Sequence, residues 1–535
     1  MKKYINKIVL SILALVVPFA SCDTEELQDL NVNPQALNEV NMNFVFTAAS
    51  LSIASGGFSG DNRYIDWRTN MGYTMYFMQH FATTGSVLNS AGDKYFDNDE
   101  AWNAPWEFWY GNVGKTLNLI YKQTGEGGFE EGRRPNMVAA SKILWALNFH
   151  RLTDFYGDIP YSEAVQGLDG VFRPKYDTQQ SIYMDLFSKL TEGINGLSAS
   201  NPDDGFAAAD IIYNGDITKW KKWGNSLMLR MAMRISNVDP GTAATYVNQA
   251  IQGGVMTSND DNAWVPMDDG PSEWTNQNGI SRAFQPGDGG QSRILGKTLI
   301  DFLKGADSLS VADDDPRLMI ISEGFNGNTN PIAQQGLPNG LDGVDLDEYT
   351  GIPNTVANEH FSSANLKMFD DADPYILMNY AEVELLLAEA KERGIGNVPG
   401  TAAEHYNNGV RAAMQFFAPL EPGDASMEVS NAQVDAYLAT YPYGGGGVTG
   451  SESALEQIGY QMWAAKFLNW WEAWSDWRRT GYPTLVPTNY PGSASPGVIP
   501  TKLRIPNGEV ATNGENYDAG ATKPDSPVGK VWWDQ

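Results

Sequence analysis

The chain has 535 residues, a formal charge of −29 and a single cysteine. That charge excludes nucleic-acid binding through phosphates, which needs a basic face, and disfavours adhesion of the protein surface to anionic lipid. One cysteine excludes disulfide staples, so apolar burial, supplied by 12% aromatic residues, must hold the fold together. Because that cysteine stands at position 22, at the end of the N-terminal apolar segment, no thiol is left for catalysis or a thiolate metal centre in the domain that follows.

At the N-terminus Lys2, Lys3 and Lys7 precede an apolar run from Ile8 to Val17, followed by Phe19-Ala20-Ser21-Cys22. A basic start, a short apolar stretch and small residues describe a secretory signal over 1–21. The run is shorter than the roughly 20 residues of a spanning helix. Placed here, Cys22 resembles the lipobox cysteine of bacterial lipoproteins, with Phe19 where that motif usually carries leucine. The resemblance implies cleavage before Cys22 and its acylation, each buried lipid CH₂ contributing ~0.8 kcal/mol of membrane affinity. Asp23-Thr24-Glu25-Glu26 begins an acidic tether over 22–40, similar to a surface-export signal of Bacteroidetes-type lipoproteins. A single domain is expected over 41–535.

Helical periodicity then dominates. It predicts a helix over 135–156, with Pro135 in its first turn. A second is expected over 177–197 with Asp177 as N-cap, and a third over 217–236 carrying Trp220, Trp223, Leu227, Arg230 and Arg234 on one face. Further helices are expected over 374–393, opened by Asp373-Pro374, over 401–417, and over 453–478. In the last, Trp463, Phe467, Trp470, Trp474 and Trp477 share one face, which reads as core. Arg478 and Arg479 would cap its carbonyls, Gly481 would stop it, and Glu384 needs a partner such as an arginine. Residues 255–370 and 481–535 lack a sustained period yet hold Trp264, Trp274, Phe284, Phe325 and Tyr349, too many large rings for disorder. The fold class expected is mainly α. Helix pairs of tetratricopeptide rhythm form a scaffold over about 41–254 and 371–480, beside a large irregular loop-rich part with few short strands.

Four stretches, in order, carry a family resemblance: Phe155-Tyr156-Gly157-Asp158-Ile159-Pro160-Tyr161-Ser162; the run from Trp220 through Asn225-Ser226-Leu227 to Arg234; Asn379-Tyr380-Ala381-Glu382 through Ala390, followed by Tyr406-Asn407-Asn408-Gly409-Val410; and Glu472-Ala473-Trp474-Ser475-Asp476-Trp477-Arg478-Arg479-Thr480-Gly481-Tyr482-Pro483. With the signal and Cys22 they resemble the SusD/RagB family of surface nutrient-binding lipoproteins. The resemblance implies an outer-membrane, outward-facing, lipid-anchored protein. It would bind an oligomeric nutrient, a glycan or in some relatives a peptide, and deliver it to a SusC-like TonB-dependent transporter; the other alternative is an adaptor that docks on the transporter without binding a small ligand.

Catalytic patterns are scarce. The four histidines form no His-Glu-x-x-His pair, and there is no Gly-x-Ser-x-Gly elbow or phosphate loop, so no enzyme and no cofactor are expected. Asp342, Asp345 and Asp347 are candidate calcium ligands, although glycine falls second in that run and the distal glutamate of an EF-hand is missing. A sugar or peptide site should combine flat rings with amides and carboxylates. Rings outside the helical stripes are the candidates. Trp264, Glu273, Trp274, Asn276 and Gln277 form one group; Trp67, Arg68, Tyr73, Trp102 and Asn103, near turns or helix starts, form another. Trp106, Trp109 and Tyr110 read as helix core.

Overall fold

The computed structural model describes residues 40–54, 62–85, 92–202, 204–270, 276–284 and 292–535. The signal, most of the tether and Cys22 lie outside these residues. Asn43–Gln535 form one unit.

Helix α1 spans Met42–Ile53, and a second helical stretch runs from Asn62 to Phe77 with its centre, Asp66–Thr74, wound as a π-helix. Helix α2 (Asp99–Phe108) passes through a second π-helical turn, Trp109–Gly114, into α3 (Lys115–Thr124). The scaffold follows as α4 (Pro135–Tyr156), α5 (Gln179–Gly196), α6 (Ile217–Arg234) and α7 (Pro240–Gly253). Short helices α8 (Gly279–Phe284) and α9 (Gly343–Thr350) lie in the irregular part. The scaffold resumes with α10 (Tyr380–Glu392), α11 (Ala402–Met414), α12 (Ala454–Ala465) and α13 (Trp470–Thr480). Consecutive helices pack in pairs, α4 on α5, α6 on α7, α10 on α11 and α12 on α13. Further short helices, among them Lys297–Leu303 and Asn431–Thr440, and three two-stranded antiparallel sheets complete the described fold. The sheets pair β1 (Ile159–Pro160) with β2 (Tyr176–Asp177), β3 (Ala263–Val265) with β6 (Tyr375–Met378), and β4 (Ser322–Gly324) with β5 (Ser363–Ala364). The mainly helical class with few short strands is as expected. Among the described residues no helix is long and apolar enough to cross a membrane.

The differences from expectation have local causes. Thr178, not Asp177, caps α5, accepting from the Ser181 N–H, while Asp177 accepts from the Tyr161 and Ser162 N–H groups of the preceding turn. Asp373-Pro374 opens strand β6 rather than a helix. The run Tyr375-Ile376-Leu377-Met378 is buried throughout, and a short apolar run has no period that separates strand from helix. The expected helix over 453–478 is two helices, because the chain breaks at 466–469. There Lys466 turns inward to pair with Glu382 at 3.0 Å and with Asp476. The irregular part is a set of short helices and strands rather than bare loop.

The tryptophan stripe does form core: Trp463, Phe467, Trp470 and Trp474 are buried, and only Trp477 is partly exposed. Two of the stripe's indole N–H groups find acceptors, Trp463 on the Met78 carbonyl and Trp474 on that of Pro500. Gly481 ends α13 in the left-handed region at φ 76°, as its role as a stop requires. Glu384 is partnered by His405, at 2.6 Å, and by the Tyr380 hydroxyl, not by an arginine. That carboxylate, despite partial burial of the ring, holds the His405 imidazole above its usual pKa.

Charged residues from the last three of the four motif stretches meet Arg151 and Asp154 of α4 in the core. Glu472 lies 2.9 Å from Arg234, 3.3 Å from Arg230 and 3.5 Å from Arg151, all buried. Arg230 also makes a two-pronged contact with Glu382 at 2.6 and 2.7 Å. Arg479 pairs with Glu389, and Arg478 donates to the Asp154 carbonyl across the molecule while its guanidinium lies 3.8 Å over the Trp474 ring. Arg478 and Arg479 thus bridge to other elements instead of capping their own helix. Burial alone would raise the Glu472 pKa, but Arg230 and its neighbours outweigh it and hold the carboxyl well below the usual range. Paired in this way, buried charges specify which helix faces which.

Candidate functional site

The N-terminal candidate group forms around the first π-helical segment. Thr69 on that segment donates to the Ala101 carbonyl at 2.6 Å, fixing it against α2. Asp66 accepts from Asn70 and from the Tyr375 hydroxyl, both at 2.9 Å, anchoring it to β6. Asn98 caps α2 through the N–H groups of Glu100 and Ala101, which sets Glu100 and Asn103 on the outer face of the first turns.

On this framework Tyr64 and Trp67, both partly exposed, stand with ring centroids 5.9 Å apart and planes tilted by 56°. The Arg68 guanidinium lies 4.8 Å over the Tyr64 ring and pairs with Glu100 at 2.6 Å. Asn103, one turn further along α2, donates to Glu107 at 3.2 Å. Helix α8 packs beside the same segment and brings Arg282 with its partner Asp371, 3.8 Å away. Two adjacent rings flanked by a guanidinium, a carboxylate and an amide can stack on a flat apolar face and hydrogen-bond its edges.

Two members of the group are not surface residues. Tyr73 and Trp102 are buried against each other, centroids 4.7 Å apart, with Tyr73 donating to the Phe96 carbonyl and Trp102 to Asp97. Both are core that supports the outer rings, a correction to their expected ligand contact.

The described members of the second group have partners of their own. Trp264, half-buried on β3, donates to Asn379 at 2.8 Å and meets Phe416 edge to face at 5.5 Å, next to α11. Gln277 is buried and donates to the Asp269 carbonyl, so it too is structural. Asn276 takes φ 54° in a turn whose carbonyl accepts from the Asp268 N–H, a conformation asparagine tolerates better than most residues. Glu273 and Trp274 lie outside the described residues.

The calcium expectation meets a different use of the same carboxylates. Asp342 is the N-cap of α9 and forms a capping box with Asp345, while Asp347 accepts from the N–H groups of Asn354 and Thr355. These backbone donors lower the pKa of Asp342 and Asp347. The carboxylates of Asp342 and Asp347 are taken up by these backbone donors and, for Asp342, by the Tyr490 hydroxyl at 2.8 Å, and no group of three metal-ligating side chains occurs among the described residues. The residues do not fit a calcium site. Calcium and EDTA should therefore leave the melting temperature unchanged, whereas Asp342→Ala should lower stability by about 1 kcal/mol through loss of the cap. A calcium-dependent rise in melting temperature that Asp342→Ala removes would restore the metal reading.

Helical spacing missed two residues. Trp109 is buried as expected, but Trp106 and Tyr110 are only partly buried and face a groove. The π-helical turn at Trp109–Gly114 adds a residue to the helical repeat and rotates the face that follows, and such turns are frequent at functional sites. Both partly exposed ring pairs, Tyr64–Trp67 and Trp106–Tyr110, lie in or beside π-helical turns.

Comparison with known proteins follows from this architecture. A family profile, SusD-like_2, described as "Starch-binding associating with outer membrane", matches residues 34–506. A solved chitin-binding protein is 32% identical with a TM-score of 0.76, covering 92% of this chain and 100% of its own. A chitin-binding SusD homolog from Flavobacterium johnsoniae is 23% identical with a TM-score of 0.73, covering 92% and 98%. A SusD homolog from Parabacteroides distasonis is 24% identical with a TM-score of 0.75, covering 92% and 98%. No curated protein sequence matches the chain.

Proposed function

Because the chain belongs to the SusD-like family, we propose that it captures an oligomeric glycan at the outer-membrane surface and passes it to a SusC-like TonB-dependent transporter. Its family consists of binding proteins, not enzymes. The observation that carries the reading is the surface pair Tyr64–Trp67, flanked by the Arg68–Glu100 ion pair and Asn103. The apolar face of a sugar ring stacks on such indole and phenol rings, and its hydroxyls take the flanking donors and acceptors. Glu273 and Trp274 belong to the same proposal on their chemistry. Cys22 would carry the lipid anchor and 22–40 the tether that lets the domain reach its ligand.

The 32%-identical chitin-binding protein makes chitin oligosaccharides the first ligand to test. Calorimetric titration should give saturable binding, and Trp67→Ala should weaken it at least ~10-fold, or about 1.4 kcal/mol. Unchanged affinity in Trp67→Ala and Trp274→Ala would remove this site. The charge of −29 favours one other reading, capture of basic peptides in the manner of RagB. Binding of a cationic peptide digest with no response to any glycan would establish it.

A further inference from the structure

His405, in the first turn of α11, has both ring nitrogens on oxygen. Nδ1 lies 2.6 Å from a Glu384 carboxylate oxygen on α10, and Nε2 lies 2.9 Å from the Pro399 carbonyl in the turn between the two helices. The second Glu384 oxygen accepts from the Tyr380 hydroxyl at 2.8 Å. A carboxylate and a carbonyl only accept, so each ring nitrogen must carry a proton, and only the imidazolium donates from both. This geometry therefore holds the charged form of the ring, bridging α10 to the turn.

The turn that His405 holds is built to move. Gly396 and Gly400 flank Asn397–Pro399 with φ of 72° and 67°, left-handed values that glycine enters and leaves at little cost. Pro399 and Gly400 are exposed. Val398 is buried with its carbonyl accepting from Lys391, and the Asn397 N–H donates to Asn248 on α7. Neither of those ties involves His405. A release at His405 is thereby confined to the stretch from Pro399 into the start of α11. There Thr401 and Glu404 form the capping box, and the His405 N–H donates to the Thr401 carbonyl.

Partial burial of the ring opposes its charge, but Glu384, the Pro399 carbonyl and Glu404 outweigh it and keep the imidazole above its ordinary value. Glu404 is itself bound by Thr401. Beyond these, Asp261, paired with Lys222 at 2.8 Å, acts on Tyr380. Glu452, ahead of α12, acts on Tyr406, and Asp435 on the helix Asn431–Thr440 takes Arg411. We propose that His405 is a pH-sensitive clasp: charged, it ties Pro399 and the start of α11 to Glu384; neutral, it keeps Glu384 and lets Pro399 go. The neutral ring has one proton, and the carboxylate is the stronger acceptor for it. The bare nitrogen is then left facing the Pro399 carbonyl, lone pair against lone pair. Because the folded pKa stands above the unfolded one, the clasp is fully in force below about pH 6.5. It is undone as the pH rises through the higher folded value. The device uses none of the residues of the proposed glycan site.

The test is an NMR pH titration of the protein isotope-labelled at histidine Cε1, the His405 signal being the one missing from His405→Gln. Its midpoint should lie above that of the histidines in the same chain unfolded in urea. Over the same pH range, hydrogen exchange corrected for its intrinsic pH dependence should show the peptide spanning 397–406 losing protection severalfold, while peptides of α4 stay level. Glu384→Gln removes the charge, keeps the hydrogen-bonding shape and should move both midpoints down together. The proposal is overturned by a His405 midpoint at or below the unfolded one, or by protection of 397–406 that stays level while His405 titrates. An exchange step that keeps its place when Glu384→Gln shifts the titration overturns it as well. Should Glu384→Gln fail to fold by its melting curve, the coincidence or separation of the two midpoints in the unsubstituted protein decides.

Discussion

Glu472→Ala should lower the unfolding free energy by about 3–5 kcal/mol, because it strands buried arginines without their shared carboxylate. Glu472 stands within 3.5 Å of Arg151, Arg230 and Arg234, and Glu382 on α10 already serves Arg230 and Lys466. Arg234 keeps Asp154 and Asp476 at 3.4 and 3.3 Å, so the loss falls mainly on Arg151 and Arg230. Glu472→Gln, which keeps the shape and removes the charge, should be destabilising in the same direction. Urea unfolding followed by tryptophan fluorescence gives the measurement. A loss under ~1 kcal/mol for Glu472→Ala would mean that the network contributes specificity without stability, as some buried ion clusters do.

Acid should unfold the protein steeply once the pH drops below about 4.5, with little change between about pH 7 and 5. The sign follows from the direction of each shift. Burial would raise the carboxyls of Glu472, Glu389 and Asp476, but their cationic neighbours reverse this and hold all three below their ordinary values, Asp476 at about 2. The unfolded chain then binds more protons as the pH falls, so stability present above the ordinary carboxylate range is lost on the way down, about 2 kcal/mol for Asp476 alone. His80, pushed by burial to about 3, acts in the same direction from pH 6.5 downward, as does His150. Asp373 and Asp314, raised mainly by burial to about 7 and about 6, act oppositely and gain from protonation in that upper window. The two sets offset each other near neutrality, and below the carboxylate range only the destabilising set continues. Urea midpoints at a series of pH values test this, and a midpoint that is level down to pH 3 would contradict it.

Much of the scaffold was legible because its signals are local. Pro135 opens α4 and Gly481 closes α13. The regular placement of Trp463, Trp470 and Trp474 marked them as core, where they lie. Local signals also misled where two states share one pattern. Tyr375–Met378 became a strand because β3 lay alongside to pair with it. The break between α12 and α13 was hidden because the ring spacing continues across it.

The candidate site was legible only in part. Trp67 and Arg68 are at the surface and Tyr73 is not, although all three fall in one helical stretch. Its π-helical winding decides which side chains turn outward. Trp106 and Tyr110, assigned inward by helical spacing, stand together four residues apart and line the groove, because no described element packs over that side of the helix to bury them fully.

By itself the sequence determined the helical class, the acidic charge balance, and the ordered motifs that mark the family. These depend on composition or on residues within a few turns of one another. Tertiary structure alone decided that Glu472 would neutralise arginines more than 200 positions away, that Asp342 would cap a helix, and which rings would face solvent. Each of those outcomes is set by contacts between segments distant in the chain, and spacing along one segment holds no information about what packs against it.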